Sequence, residues 1–121
     1  KTIRNCLTSA YFDKTLITDE MVEHYYSYLS DNGSRDAMFT TFSNWDDSEI
    51  SENMGNITSN VYIFWGECDE WHPLEYLEAF EDSIPKLYAA TVRNGGHMIH
   101  EEKYRELNRK AIELLLTDEV T

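Results

Sequence analysis

The sequence predicts an α/β fold in which a helical segment precedes a short parallel β-α-β-α unit, and three observations carry that prediction. Residues 61–65 (VYIFW) form a continuous apolar run rich in β-branched and aromatic residues, the pattern of a strand covered on both faces. A second run, LYAATV at 87–92, follows after an intervening stretch with helical periodicity. Each run leads through glycine into an ionisable residue: Gly66 into Asp69, and Gly95-Gly96 into His97.

The elements before the first run are helical. Ile3, Cys6, Leu7, Ala10 and Tyr11 recur at the spacing of one helix face over residues 3–12, and Asp13-Lys14 closes that segment. Thr18 is an N-cap followed by Asp19 and Glu20, where the helix dipole favours anions, and Met21, Val22, Tyr25 and Leu29 make the next stripe. Asn32-Gly33 supplies a left-handed stop. Ser34 then caps a third helix reaching about Phe42, with Met38, Phe39 and Phe42 turned inward. Residues 43–60 change character to an acidic, Ser- and Asn-rich stretch with one short helical turn around Glu49 to Met54. This divides the chain into a helical segment at 1–45, a linker at 46–60 and an α/β unit at 61–121.

Within the α/β unit, Pro73 suits the first turn of a helix carrying Leu74, Leu77, Phe80 and Ile84, and Pro85 stops it. Two strands joined through a helix are parallel, because a parallel pair needs a crossover of a dozen or so residues. The last helix runs from Glu101 to Leu116 with Tyr104, Leu107, Asn108, Ala111, Ile112, Leu114 and Leu115 as its buried side.

Composition limits the partners. The 121 residues carry 23 acidic and 10 basic side chains, a formal net charge of −13, so phosphate backbones and anionic membrane surfaces are repelled. Mean hydropathy is −0.56 and no run approaches the roughly 18 apolar residues of a membrane span, which predicts a soluble, cytoplasmic chain. An N-terminal signal on a longer parent stays open, since the sequence begins at Lys1. Cys6 and Cys68 fit neither a metal knuckle nor a disulfide framework and are read as free thiols.

The chemistry lies in the two strand-end loops. In an open parallel sheet, ligands sit outside the carboxyl ends of the strands. If the strands are neighbours, the Asp69 carboxylate reaches Nδ1 of His97, fixes the tautomer and leaves Nε2 as a general base. Gly66 lets the chain leave the strand sharply, and Gly95-Gly96 permits positive φ and close backbone approach. Glu67 and Glu70 compete with Asp69 for the acid position. The H-x-x-H-E at His97, His100 and Glu101 matches neither zincin pattern, so no metal and no cofactor are expected, and His100 with Glu101 organises the start of the last helix. Trp71 is expected at the rim of the site, His72 ahead of Pro73 is read as a solvated turn residue ahead of a residue of the pocket mouth, and His24 lies within a helix without a role.

The ordered motifs Ile63-Phe64-Trp65-Gly66-Glu67-x-Asp69, Pro73-Leu74-Glu75, Ile84-Pro85 and Asn94-Gly95-Gly96-His97-x-x-His100-Glu101-Glu102, with Asn108 beyond, resemble the C-terminal part of an α/β-hydrolase-fold enzyme. The resemblance implies a helical cap over the active site at residues 1–45, Asp69 as triad acid and His97 as triad histidine. That family orders its triad as nucleophile, acid, histidine, and none of the serines here stands in a G-x-S-x-G setting. The chain is therefore expected to be the C-terminal portion of a longer hydrolase of small-molecule esters or related substrates, inactive alone. It is expected to self-associate or to pair with the N-terminal half. The competing expectation is a non-catalytic interaction or oligomerisation module derived from a hydrolase.

Overall fold

The computed structural model describes residues 2–118, in the order α1 (Thr2–Ala10), α2 (Asp19–Leu29), α3 (Asn32–Ser43), α4 (Ser48–Asn53), β1 (Val61–Gly66), α5 (Glu75–Ser83), β2 (Leu87–Val92), α6 (Ile99–Glu102) and α7 (Tyr104–Asp118). Short 3₁₀ turns at Lys14–Leu16 and Met54–Asn56 follow α1 and α4. The expected strand, helix, strand unit is present. β1 and β2 pair in parallel with Val61 opposite Leu87 and Gly66 opposite Val92, so both strands end at the same edge. Tyr62 and Tyr88, opposite each other in the register, stack with ring centroids 5.3 Å apart.

The crossover is set by its two prolines. Pro73 heads a tightened first turn in which its carbonyl accepts from Tyr76 N, and Pro85 follows directly on Ile84, the residue that ends α5. Leu77 and Ile84 are buried and Phe80 is half-buried, but Leu74 is exposed, so the inner stripe of α5 is narrower than its periodicity suggests.

A second cluster lies at the N-terminal end. Leu7, Ala10, Tyr11 and Ile17 are buried together, with Ile3, Met21, Val22, Tyr25 and Met98 packed around them. Met98 belongs to the loop after β2, and its N–H donates to the carbonyl of Ala10 over 3.2 Å, so α1 is seated directly on that loop. The first helix ends at Ala10 rather than Phe12, and Cys6, expected inside, is exposed.

Three further expectations are corrected. Asn32-Gly33 does not stop α2 in a left-handed turn, since the only described residue outside glycine with positive φ is Asn94 and no glycine has one. Instead the Asp31 carboxylate accepts from Gly33 N and Ser34 N and caps α3, drawing Asn32 and Gly33 into its first turn. Met38, Phe39 and Phe42 face outward: Phe39 is 74% exposed and Phe42 is 69% exposed. α3 packs against α2, and these three apolar side chains stay largely open to solvent. The final helix is split at Lys103, whose N–H closes α6 onto the Ile99 carbonyl. In α7, Leu107, Ala111 and Leu114 are half-buried, while Tyr104, Asn108, Ile112 and Leu115 are exposed because the two-stranded sheet offers it only a narrow seat. No helix among the described residues is long and apolar enough to cross a membrane.

Gly66 is the tightest point of the fold. A Cβ there would overlap the carbonyl oxygen of Gly96 and lie 2.5 Å from that of Gly95. Both obstacles are backbone, which cannot rotate away. Gly66→Ala is expected to lower stability by about 3 kcal/mol or more, as a lower urea midpoint. A midpoint equal to that of the unaltered chain would show that the loops part without cost.

Candidate active site

The two strand-end loops are joined before any side chain is considered. Past β1, Glu67 N donates to the Val92 carbonyl over 3.1 Å and Cys68 N to the Gly95 carbonyl over 2.9 Å. Asp69 N returns to the Gly66 carbonyl over 3.2 Å and closes a turn. Past β2, Asn94 takes φ of 51° and reverses the chain, a conformation that Asn accepts more readily than most residues. Gly95 and Gly96 do not use the positive φ expected of them; they are needed for space. A Cβ on Gly95 would stand 2.7 Å from Ile99 Cγ2, and one on Gly96 would stand 2.7 Å from Ala10 O and Phe12 N.

This backbone brings Asp69 and His97 together. Oδ2 of Asp69 lies 2.9 Å from Nδ1 of His97, and the Asp69 side chain is 7% exposed against 33% for His97. Oδ1 accepts from the N–H groups of Trp71 over 2.8 Å and His72 over 3.0 Å. Burial disfavours the charged carboxylate, but the His72 N–H, the His97 imidazole and the Trp71 N–H outweigh it and hold Asp69 below the ordinary carboxylate range. The result is an ionised acid aimed at one ring nitrogen, with Nε2 left for a reacting group.

The imidazole is also walled in. Its ring centroid lies 4.7 Å from that of Trp71 and 5.1 Å from that of His72. Trp71 is anchored by its indole N–H to Ser9 Oγ at 2.8 Å, and the loop is pinned where Trp65 Nε1 donates to the His72 carbonyl at 2.9 Å. Phe64, Trp65, Gly66, Asp69, His72, His97 and Ile99 line a cavity of about 170 Å³. A larger cleft of about 520 Å³ lies between α2 and Glu101, lined by Thr18, Glu20, Met21, His24, Tyr25 and Tyr28.

The other candidates fall elsewhere. Glu67 accepts from Thr91 Oγ1 at 2.9 Å, and Glu70 pairs with Lys14 at 3.0 Å, so neither competes for the imidazole. His100 is exposed 3.7 Å from Glu101, and His24 stacks edge-on against Tyr28.

Sequence reasoning missed Glu102. Its Oε1 accepts from Gly96 N at 2.5 Å, and its Oε2 accepts from Phe12 N at 3.0 Å and Asp13 N at 3.1 Å. One carboxylate thus ties the residue before His97 to the chain leaving α1. Beside it, the hydroxyl of buried Tyr11 donates to Glu101. Burial first, and then the hydrogen bond to Glu101, push the Tyr11 phenol well above its ordinary range, so it stays a donor. The only available signal was a run of acids after the glycines, which also suits a helix N-terminus.

No family model matches the chain. Over 121 residues, covering 95% of this chain, it is 26% identical to 2-hydroxy-6-oxo-6-phenylhexa-2,4-dienoate hydrolase of Comamonas testosteroni and 24% identical to that of Burkholderia cepacia. The chain spans 41% of the length of those curated relatives and matches their C-terminal part. Among solved structures, a meta-cleavage product hydrolase of Pseudomonas fluorescens superposes with a TM-score of 0.80 at 20% identity, covering 96% of this chain and 45% of that one. The fold is that of the C-terminal part of an α/β-hydrolase. A serine hydrolase involved in carbazole degradation gives the same TM-score at 19% identity, over 95% of this chain and 46% of that one. In an α/β-hydrolase fold the carboxyl ends of the strands are the site-bearing edge, and the loops carrying Asp69 and His97 leave the sheet there.

Two expectations follow. Glu102→Ala, which leaves three backbone donors without their acceptor, should cost about 3 kcal/mol in urea unfolding, with Glu102→Gln recovering part of the loss. Because Asp69 has a depressed folded-state pKa, its contribution to stability is complete above the unfolded carboxylate value of about 3.9 and is lost as pH falls through the lower folded value. The stability gap between the unaltered chain and Asp69→Asn should therefore be widest near neutrality and narrow below about pH 4, measured by urea midpoints across pH; a gap independent of pH would contradict the ionised assignment.

Proposed function

We propose that the chain supplies the acid and the histidine of a nucleophile-acid-histidine triad in a larger α/β-hydrolase, with Asp69 as the acid and His97 as the general base. The observation that carries this reading is the 2.9 Å contact between a buried carboxylate and Nδ1 of a part-exposed imidazole at the carboxyl ends of two parallel strands. In this reading His97 Nε2 takes the proton of a nucleophilic hydroxyl or water as it attacks a carbonyl carbon. The proton then passes to the leaving group, while the Asp69 charge stabilises the imidazolium. Residues 1–45 serve as the lid segment of that enzyme.

The nucleophile comes from outside these residues, as the lack of G-x-S-x-G in the sequence implies. The reading is supported by relatives of which this chain spans 41%, and by the exposed apolar side chains of α3 and α7, suited to a further partner surface. The substrate class is a small carbonyl compound, and the relatives' names point to 2-hydroxy-6-oxo-dienoates ahead of simple esters.

Complementation decides it. Mixing the chain with the separately expressed N-terminal half of a dienoate hydrolase should restore hydrolysis of 2-hydroxy-6-oxo-6-phenylhexa-2,4-dienoate, which neither part performs alone. His97→Ala and Asp69→Asn should each lower that rate by about 10³- to 10⁴-fold, as expected for triad members. Turnover surviving in His97→Ala would sink the assignment.

A further inference from the structure

Asp69, His72 and His97 each offer one ligand atom, and these atoms all lie within 4.8 Å of one another. We propose that they form a site for a transition-metal dication of the zinc class. The donor chemistry selects the ion: two imidazoles and one carboxylate suit zinc or cobalt, whereas calcium and magnesium call for oxygen ligands throughout. Three protein ligands leave one position of a tetrahedral ion open to water.

The three side chains are already gathered, and binding would displace the hydrogen bond between Asp69 and His97 and turn the His72 ring inward. Oδ1 of Asp69 holds the His72 backbone N–H at 3.0 Å, Oδ2 holds the His97 ring at 2.9 Å, and the two rings lie with centroids 5.1 Å apart. A Zn–N bond of about 2.1 Å requires ligand atoms roughly 3.4 Å apart. The His72 side chain belongs to an exposed residue, so rotation about its side-chain bonds draws it in without moving buried groups. The net charge of −13 raises the local concentration of any dication. His100 takes no part, so this is not the H-x-x-H-E pattern of the sequence; the second histidine comes instead from the β1 loop.

Metal binding needs only these three side chains and holds whether or not the chain acts in a hydrolase. Its consequence for the proposed function is inhibition, because the ion engages the acid and the base that would move the proton.

The test is direct titration of the 121-residue chain with Zn²⁺ against a chromophoric chelator, and with Co²⁺ followed by visible absorption. Saturation at one ion per chain is expected. His72→Ala, a change at an exposed position, should weaken Zn²⁺ binding at least tenfold, and His97→Ala should do the same. His100→Ala and Cys68→Ser should stay within twofold of the unaltered chain, and the Co²⁺ form should show d–d bands without a thiolate charge-transfer band. Zn²⁺ binding within twofold of the unaltered chain in His72→Ala overturns the proposal, as does loss of binding in Cys68→Ser.

Discussion

The structure depends on how closely the backbone after β1 approaches the backbone after β2. Gly66 meets the carbonyls of Gly95 and Gly96 with no room for a side chain, and the Cys68 N–H uses the Gly95 carbonyl as its acceptor. A parallel pair of strands guarantees only that two loops leave the same edge. Whether a carboxylate on one reaches an imidazole on the other depends on a few ångströms of loop separation, and missing β-carbons supply them. The Asp69–His97 contact is thus a consequence of backbone packing first and of charge second.

The same loop is held from the other side by α1. Gly96 is wedged between the Ala10 carbonyl and the Phe12 N–H, Met98 N donates to Ala10 O, and Glu102 spans Gly96, Phe12 and Asp13. Two chain segments some ninety residues apart therefore fix one histidine. Apolar burial contributes at this junction through Tyr11, 1% exposed, while much of α3 and α7 adds little. Hydrogen bonds and close backbone packing are concentrated at the loop that carries His97, which suits the fixed geometry that the proposed proton transfer demands.

The strands were legible because their signal is local: VYIFW and LYAATV are short apolar runs bounded by turn formers, and the observed strands match them to within a residue. The contact between Asp69 and His97 was legible because each follows such a run at a short distance through glycine. Helix ends and helix faces were less so. At 31–34 two signals overlap, an Asp able to cap and an Asn-Gly able to stop, and the cap wins since Asp31 satisfies two N–H groups of the following turn. Periodicity names the apolar face of α3 and α7 but not whether anything lies against it, so Phe39, Phe42 and Ile112 sit on the apolar stripe and are nonetheless exposed. Glu102 was hidden because its partners are backbone groups, which leave no trace in residue identity.

A buried carboxylate that orients a histidine also defines what else the site attracts. Asp69 spends Oδ1 on two backbone N–H groups and Oδ2 on His97, so all of its strong contacts are with donors. A dication that took both Asp69 and His97 as ligands would displace the hydrogen bond at Nδ1, so the proposed metal site and the hydrogen-bonded pair are alternative states of the same side chains. Here the neighbour on the acid loop is His72, its ring tilted by 32° from that of His97 across 5.1 Å. The Asp69 carboxylate orients the His97 ring and fixes the His72 backbone, while the His72 ring stays free to turn. The proposed proton transfer and the proposed metal binding therefore draw on the same side chains, and the rotamer of exposed His72 is what would separate them.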